Sequence, residues 1–121
     1  MKENELTVLK VEPGKAPEEV TIPNTLDAMQ QMVGGYIEVV HLEDACLVCN
    51  EDGKLIGLDG NRRVGNDIIA GTFFLVGDQG DGDFCSLTQE QLDRLTHQFA
   101  QPETFQPGEV EDSIRLDFYS L

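Results

Sequence analysis

The sequence has no tryptophan, few basic residues and no long apolar run, and each absence narrows the class of protein. Lysine and arginine number 8 against 23 acidic residues, which gives a formal net charge of −15. Such a surface repels phosphate arrays, so we expect no direct binding of nucleic acid and none of membranes. No apolar stretch reaches the roughly 18 residues that can span a bilayer. The first residues, MKENE, are polar, so no signal peptide is expected.

Cysteine is scarce as well, and its number is odd. Three cysteines cannot complete a set of internal disulfides, which favours reduced thiols in the cytoplasm. A length of 121 residues suits one domain. We expect a single α+β domain over residues 1–99, followed by a linker and C-terminal extension over residues 100–121. In that extension Ile114, Leu116 and Phe118 alternate with charged residues, which favours an added strand whose place in the sheet stays open.

The N-terminal third of the chain has the pattern of a hairpin followed by a helix. Residues 6–22 contain two strand-like segments around the turn-forming pair Pro13-Gly14. Asn24 is a suitable helix N-cap, and Gly34 offers the left-handed residue that ends many helices. Apolar residues between them recur at helical spacing, so one face of this helix should be buried.

A second hairpin is predicted over residues 33–49. If a two-residue turn forms at residues 43–44, His41 lies directly opposite Cys46. Because side chains alternate across a strand, Cys46 and Cys49 then point to opposite faces.

The rest of the fold is predicted from an apolar run and a helix start. Residues 68–76 lack polar alternation, which favours a strand covered on both faces with a bend at Gly71. Thr88 and Gln91 have the spacing of a helix capping box, and Leu92 begins the apolar face of that helix. The elements together predict an α+β fold, a mainly antiparallel β-sheet with two α-helices packed on one face.

The cysteines and histidine of the second hairpin raise the question of a metal site. A zinc site would combine Cys46 and Cys49 with His41 and Cys85. Divergence of the two hairpin thiols argues against both a zinc site and a redox pair. We therefore expect no metal and no cofactor, and stoichiometric zinc in elemental analysis would contradict this.

The candidate ligand-binding residues are Asn61, Arg62 and Arg63. Two adjacent arginines are unusual in so acidic a chain. They either balance nearby carboxylates such as Asp59 and Asp67, or bind an anion or carboxylate through bidentate guanidinium contacts. We predict that substituting both arginines by alanine leaves folding largely intact, and an unfolded double variant would show that the pair is structural.

Four segments of the chain form a familiar succession. They are VEPGKAPE, VGGYIEVV, LVCNEDGKLIGLDGNRR and GTFFLVGD followed by DFCSLTQEQ. In this order they resemble an uncharacterised bacterial domain-of-unknown-function family, over about residues 6–99. Members of that family are frequent in phages, plasmids and conjugative elements of gut and Gram-positive bacteria. The resemblance implies a small cytoplasmic accessory protein of a mobile element and assigns no activity.

The predicted function is therefore binding without catalysis. The sequence contains no G-x-S-x-G, P-loop or Rossmann fingerprint, so an enzyme is not expected. We predict a small acidic binding or regulatory protein of a phage or other mobile element, with a protein as its partner. One alternative is a counter-defence protein whose acidic surface imitates DNA and inhibits a host DNA-binding protein. Another is a binder of small anions or nucleotides that uses Arg62 and Arg63.

Overall fold

The computed structural model describes residues 3–80 and 82–113. Its elements are, in chain order, β1 Glu5–Val11, β2 Glu18–Pro23, α1 Leu26–Val33, β3 Ile37–His41, β4 Cys46–Asn50, β5 Gly60–Val64, β6 Asp67–Ala70, β7 Phe73–Asp78, β8 Phe84–Cys85 and α2 Gln89–Gln98. A short helical stretch at residues 109–113 ends the described part. The last strand predicted around residues 114–118 lies outside the described residues.

The centre of the fold is a six-stranded sheet. Its strand order is β2-β1-β7-β4-β3, with β8 paired to β7. Every pair in this sheet is antiparallel, and β2 and β3 form its edges. β5 and β6 form a separate two-stranded sheet. The predicted α+β class with a mainly antiparallel sheet is confirmed.

Both predicted hairpins are present, and the second has its predicted register. Residues 6–22 pair as β1 and β2. In the second hairpin, His41 lies opposite Cys46. Its tight turn is closed by the backbone N–H of Leu42, which donates to the carbonyl of Ala45 at 2.9 Å.

Both faces of the sheet are buried, and one helix covers each. The α1 face carries apolar side chains of β1, β4 and β7 beneath α1: Leu6, Val8, Cys46, Val48, Phe74 and Val76. The α2 face carries the alternate side chains beneath α2: Leu9, Val11, Leu47, Cys49, Phe73 and Leu75. The prediction that both helices pack on one face is therefore wrong. Because the central strands are apolar on both sides, each side must be shielded from water.

The first helix begins one residue later than predicted. Thr25, rather than Asn24, is the N-cap, and its side chain accepts a hydrogen bond from the backbone N–H of Ala28. The backbone N–H of Asn24 still bonds to the carbonyl of Asn4 at 2.9 Å, so the chain leaves the sheet only after that residue. Gly34 ends the helix in the predicted left-handed conformation, with φ of 82°.

The apolar run at residues 68–76 forms two strands in different sheets rather than one bent strand. Gly71 lies between β6 and β7 with φ of 84°, a conformation that side chains disfavour and that turns the chain here. The predicted burial on both faces holds for β7, whose first five residues are all buried. The predicted capping box of Thr88 and Gln91 is present at the start of α2.

Candidate binding groove

The structure places Asn61 and Arg62 in the interior. The side-chain amide of Asn61 donates to the carbonyls of Val11 at 2.8 Å and Gly71 at 2.9 Å. Asn61 is fully buried. Its two hydrogen bonds join the β5–β6 sheet to β1 and to the turn after β6.

Arg62 has only 1% of its surface exposed, and its guanidinium is surrounded by oxygen acceptors. Nε and Nη2 both donate to the carbonyl of Phe99, and Nη2 also donates to the carbonyl of Lys15 at 2.7 Å. Nη1 donates to the side-chain oxygen of Asn61 at 2.8 Å. Burial lowers the pKa of this guanidinium. These contacts join β5 to the end of α2 and to the β1–β2 turn.

Arg63 is exposed, but carboxylates of the same chain surround it. Its Nη1 donates to Glu103 at 2.9 Å, its Nη2 donates to Glu109, and its guanidinium lies 4.6 Å from the ring centre of Phe105. The hydrogen bonds that Arg63 donates to Glu109 and Glu103 raise its pKa. Anion binding by Asn61, Arg62 and Arg63 stays a prediction, and a ligand would have to displace Glu103 and Glu109.

A well-formed cavity lies elsewhere, on the part of the α2 face that α2 does not cover. Its volume is about 420 Å³, and it lies between the β3–β4 edge, the turn at residues 51–58 and strand β6. Its apolar lining includes Val40, Cys49 and Ile69. We call it the groove.

Residues 51–58 form one wall of the groove as a series of hydrogen-bonded turns. The backbone N–H of Asp52 donates to the side chain of Asn50 at 2.8 Å. The N–H of Ile56 donates to the carbonyl of Asp52 at 3.0 Å, and that of Leu58 to the carbonyl of Gly53 at 2.9 Å. The wall is therefore preformed by its own hydrogen bonds.

Acidic side chains dominate the polar rim of the groove. Glu38, Glu51 and Asp52 line it and are exposed. Its lysine, Lys54, is paired with Asp67. In the floor, burial raises the pKa of the Cys49 thiol to about 12, assisted by the charges of Glu38 and Asp67.

Large apolar side chains are exposed beside the groove. Leu55, which lines it, is 71% exposed, and its neighbour Ile56 is 60% exposed. Tyr36 is 71% exposed, and its carbonyl accepts the backbone N–H of Glu51 at 2.8 Å. Of the large apolar residues exposed in the described part of the chain, the remaining one is Leu26 on α1.

Sequence reasoning placed the candidate site on the arginines and missed the groove. The available signal was the apolar pair Leu55-Ile56 between Gly53 and Gly57, because apolar residues inside a glycine-bounded turn have no strand or helix in which to be buried. The predicted divergence of the hairpin thiols is confirmed, since Cys46 belongs to the α1 face and Cys49 to the α2 face.

The fold and the groove together define a small α+β domain with an acid-rimmed apolar cavity. A family model described as "Domain of unknown function (DUF3846)" matches residues 6–100. The chain belongs to this family. No curated protein and no solved structure matches this chain. No helix in the described residues is long and apolar enough to cross a membrane.

Proposed function

We propose that the chain is a non-enzymatic binding protein whose groove takes a basic protein segment carrying an apolar anchor side chain. The observation that carries this proposal is Leu55, a large apolar side chain that lines the groove and is 71% exposed. Ile56 follows it in the chain, and the carbonyl of Tyr36 is bonded to the rim residue Glu51; both side chains are exposed as well. Exposed apolar patches beside a cavity are typical of interaction sites.

Charge favours a basic occupant. Glu38, Glu51 and Asp52 face solvent around the groove, while Lys54 is engaged by Asp67. An acidic segment would meet like charges at this rim, whereas lysine or arginine beside the anchor would be attracted. The net charge of −15 extends this preference over longer distances and should accelerate association with a basic partner.

The raised pKa values of two cysteines support binding rather than catalysis by a thiol. Burial raises the pKa of Cys46 to about 11 and that of Cys49 to about 12. Without a bound metal ion, both thiols therefore stay protonated at neutral pH and are poor nucleophiles.

The setting we propose is the cytoplasm of a bacterium that carries a phage or other mobile element. The mobile-element part rests on the family resemblance, and the cytoplasmic part on the odd number of cysteines, which cannot complete a set of internal disulfides. The genes that flank the coding sequence test the first part, because phage or conjugation genes should lie beside it.

The groove is tested with synthetic peptides and fluorescence anisotropy. One series carries a leucine or phenylalanine flanked by lysine and arginine, a second replaces the basic flanks by glutamate, and a third replaces the anchor by alanine. We expect binding of the first series alone, with affinity that falls as salt is added. Leu55→Ser should weaken binding about tenfold, as loss of an apolar anchor commonly does.

Leu26→Ser is the matched control, because Leu26 is 56% exposed but lies on α1, away from the groove. It should bind the basic peptides as the unmodified protein does. Equal loss in the two variants, or equal binding of all three series, would contradict the proposal. Displacement of the peptides by duplex DNA would instead favour the DNA-imitating alternative.

A further inference from the structure

The α1 face of the sheet brings three potential metal ligands to one corner. His41 on β3 lies directly opposite Cys46 on β4. Cys46 in turn lies opposite Val76 on β7, and Asp78 follows two residues later on the same side of that strand. Strand register alone therefore aligns an imidazole, a thiol and a carboxylate.

The distances between their donor atoms suit a shared ion. Nδ1 of His41 lies 3.5 Å from Sγ of Cys46 and 3.8 Å from Oδ2 of Asp78. Nitrogen, sulfur and oxygen donors of all three residues lie within 4.8 Å of one another. Bond lengths of about 2.0 to 2.3 Å around a tetrahedral zinc ion place neighbouring donors about 3.3 to 3.6 Å apart. The two separations measured from Nδ1 of His41, 3.5 Å and 3.8 Å, lie close to this range.

We propose that His41, Cys46 and Asp78 bind one divalent transition-metal ion of the zinc class, with solvent at the fourth position. A nitrogen, sulfur and oxygen donor set suits zinc and not calcium or magnesium, which prefer oxygen alone. Cys46 is fully buried and fixes one ligand, while the exposed side chains of His41 and Asp78 leave a path from solvent.

This ligand set differs from the zinc site considered from the sequence. Cys49 belongs to the α2 face and cannot join Cys46. Cys85 lies opposite Gly77 on the β7–β8 pair, so its side chain leaves the sheet on the side away from Asp78. Asp78, the exposed last residue of β7, takes the place of both cysteines. Because the site lies on the α1 face, it does not depend on the groove.

Cobalt(II) titration of the reduced, metal-free full chain tests the proposal. A thiolate ligand gives a charge-transfer absorption band that a cobalt ion held by imidazole and carboxylate alone does not give. We expect this band to saturate at one equivalent and to disappear when zinc is added. It should be lost in Cys46→Ser and retained in the matched control Cys49→Ser.

His41→Ala and Asp78→Asn give the deciding result, because both side chains are exposed and their loss leaves the core intact. Circular dichroism should confirm that both variants are folded. Each should weaken cobalt binding by at least the roughly 10- to 100-fold that loss of a supporting ligand contact costs. Absence of the band in the unmodified chain would overturn the proposal. So would a band that His41→Ala and Asp78→Asn leave unchanged, or one that Cys49→Ser removes.

Discussion

The guanidinium of Arg62 holds the main-chain carbonyl of Phe99 through two hydrogen bonds, from Nε at 3.2 Å and from Nη2 at 3.0 Å. Phe99 follows directly after α2, where the carbonyl groups of a helix lack intrahelical partners and carry partial negative charge. A buried cation thus stabilises the end of a helix by binding peptide oxygens, and none of its hydrogen-bond partners among residues 3–80 and 82–113 is a carboxylate. In the described residues, every buried side-chain nitrogen and oxygen atom has a hydrogen-bond partner.

Replacing Arg62 by alanine should destabilise the protein by about 3 kcal/mol, because hydrogen bonds from a charged donor are lost and buried carbonyls are left unpaired. This differs from the sequence-based expectation that alanine at both arginines leaves folding largely intact. Denaturant unfolding measures the effect. Arg94→Ala, a surface arginine paired with Asp44, should stay within about 0.5 kcal/mol of the unmodified protein. Equal stability of the two variants would contradict a structural role for Arg62.

Replacing Arg63 by alanine should release the segment that follows α2. The guanidinium of Arg63 binds Glu103 and Glu109 and lies over Phe105, so it joins this segment to β5. We expect faster cleavage by a glutamate-specific protease after Glu103 and Glu109, while the far-ultraviolet spectrum stays unchanged. High salt should accelerate cleavage of the unmodified chain in the same way, because these contacts are exposed.

Arg94→Ala again serves as the control, since its ion pair with Asp44 is similarly exposed but does not involve this segment. Unchanged cleavage in Arg63→Ala would show that other contacts hold the segment. One such contact is visible at Gly60, where an added Cβ would lie 2.7 Å from the ring of Phe105.

Replacing Thr88 by alanine should cost about 1 kcal/mol in the free energy of unfolding. Its side-chain oxygen accepts a hydrogen bond from the backbone N–H of Gln91 at 3.1 Å. In turn, Oε1 of Gln91 accepts a hydrogen bond from the backbone N–H of Thr88 at 2.9 Å. Thermal or denaturant unfolding provides the measurement. Thr96→Ala, at an exposed position inside α2, should be neutral or slightly stabilising, because alanine has the higher helix propensity. A loss at Thr96 as large as that at Thr88 would rule out capping as the cause.

The free energy of unfolding should decrease at alkaline pH because the Cys49 thiol is buried in the folded chain. Its pKa is raised from 9.0 to about 12 by burial in the folded chain. Well below pH 9.0 the thiol is protonated in both states and contributes no pH dependence. Above that value the unfolded chain ionises first, so the free energy of unfolding decreases with rising pH until about pH 12.

Denaturant unfolding between about pH 8 and about pH 10.5 measures this slope. Cys49→Ala removes the thiol, so its free energy of unfolding should fall less steeply over the same range, whatever its absolute stability. A slope identical to that of the unmodified chain would assign the alkaline loss to other groups.

The register of the second hairpin could be derived from the sequence because a two-residue turn fixes which residues lie opposite each other. That reasoning placed His41 opposite Cys46 and separated Cys46 from Cys49, as observed. The capping box at Thr88 was equally local, since both partners lie within one helical turn. The face of the sheet on which each helix packs could not be derived from residues close together in the chain. A helical pattern shows that one side of a helix is buried, but it does not show which face of a sheet buries it.

The sequence by itself determined the acidic charge, the order of most elements, the register of the second hairpin, the end of α1 and the start of α2. Each of the structural features among these depends on residues a few positions apart. Only the tertiary structure decided the role of Arg62, whose acceptors Lys15 and Phe99 lie 47 and 37 residues away. The same holds for the groove, which needs β3, β4, β6 and the 51–58 turn together, and for the approach of Asp78 to His41. A charged residue is usually exposed, and nothing in its neighbours along the chain indicates that distant carbonyls will converge on it. Burial of that charge is possible only after the whole chain has folded around it.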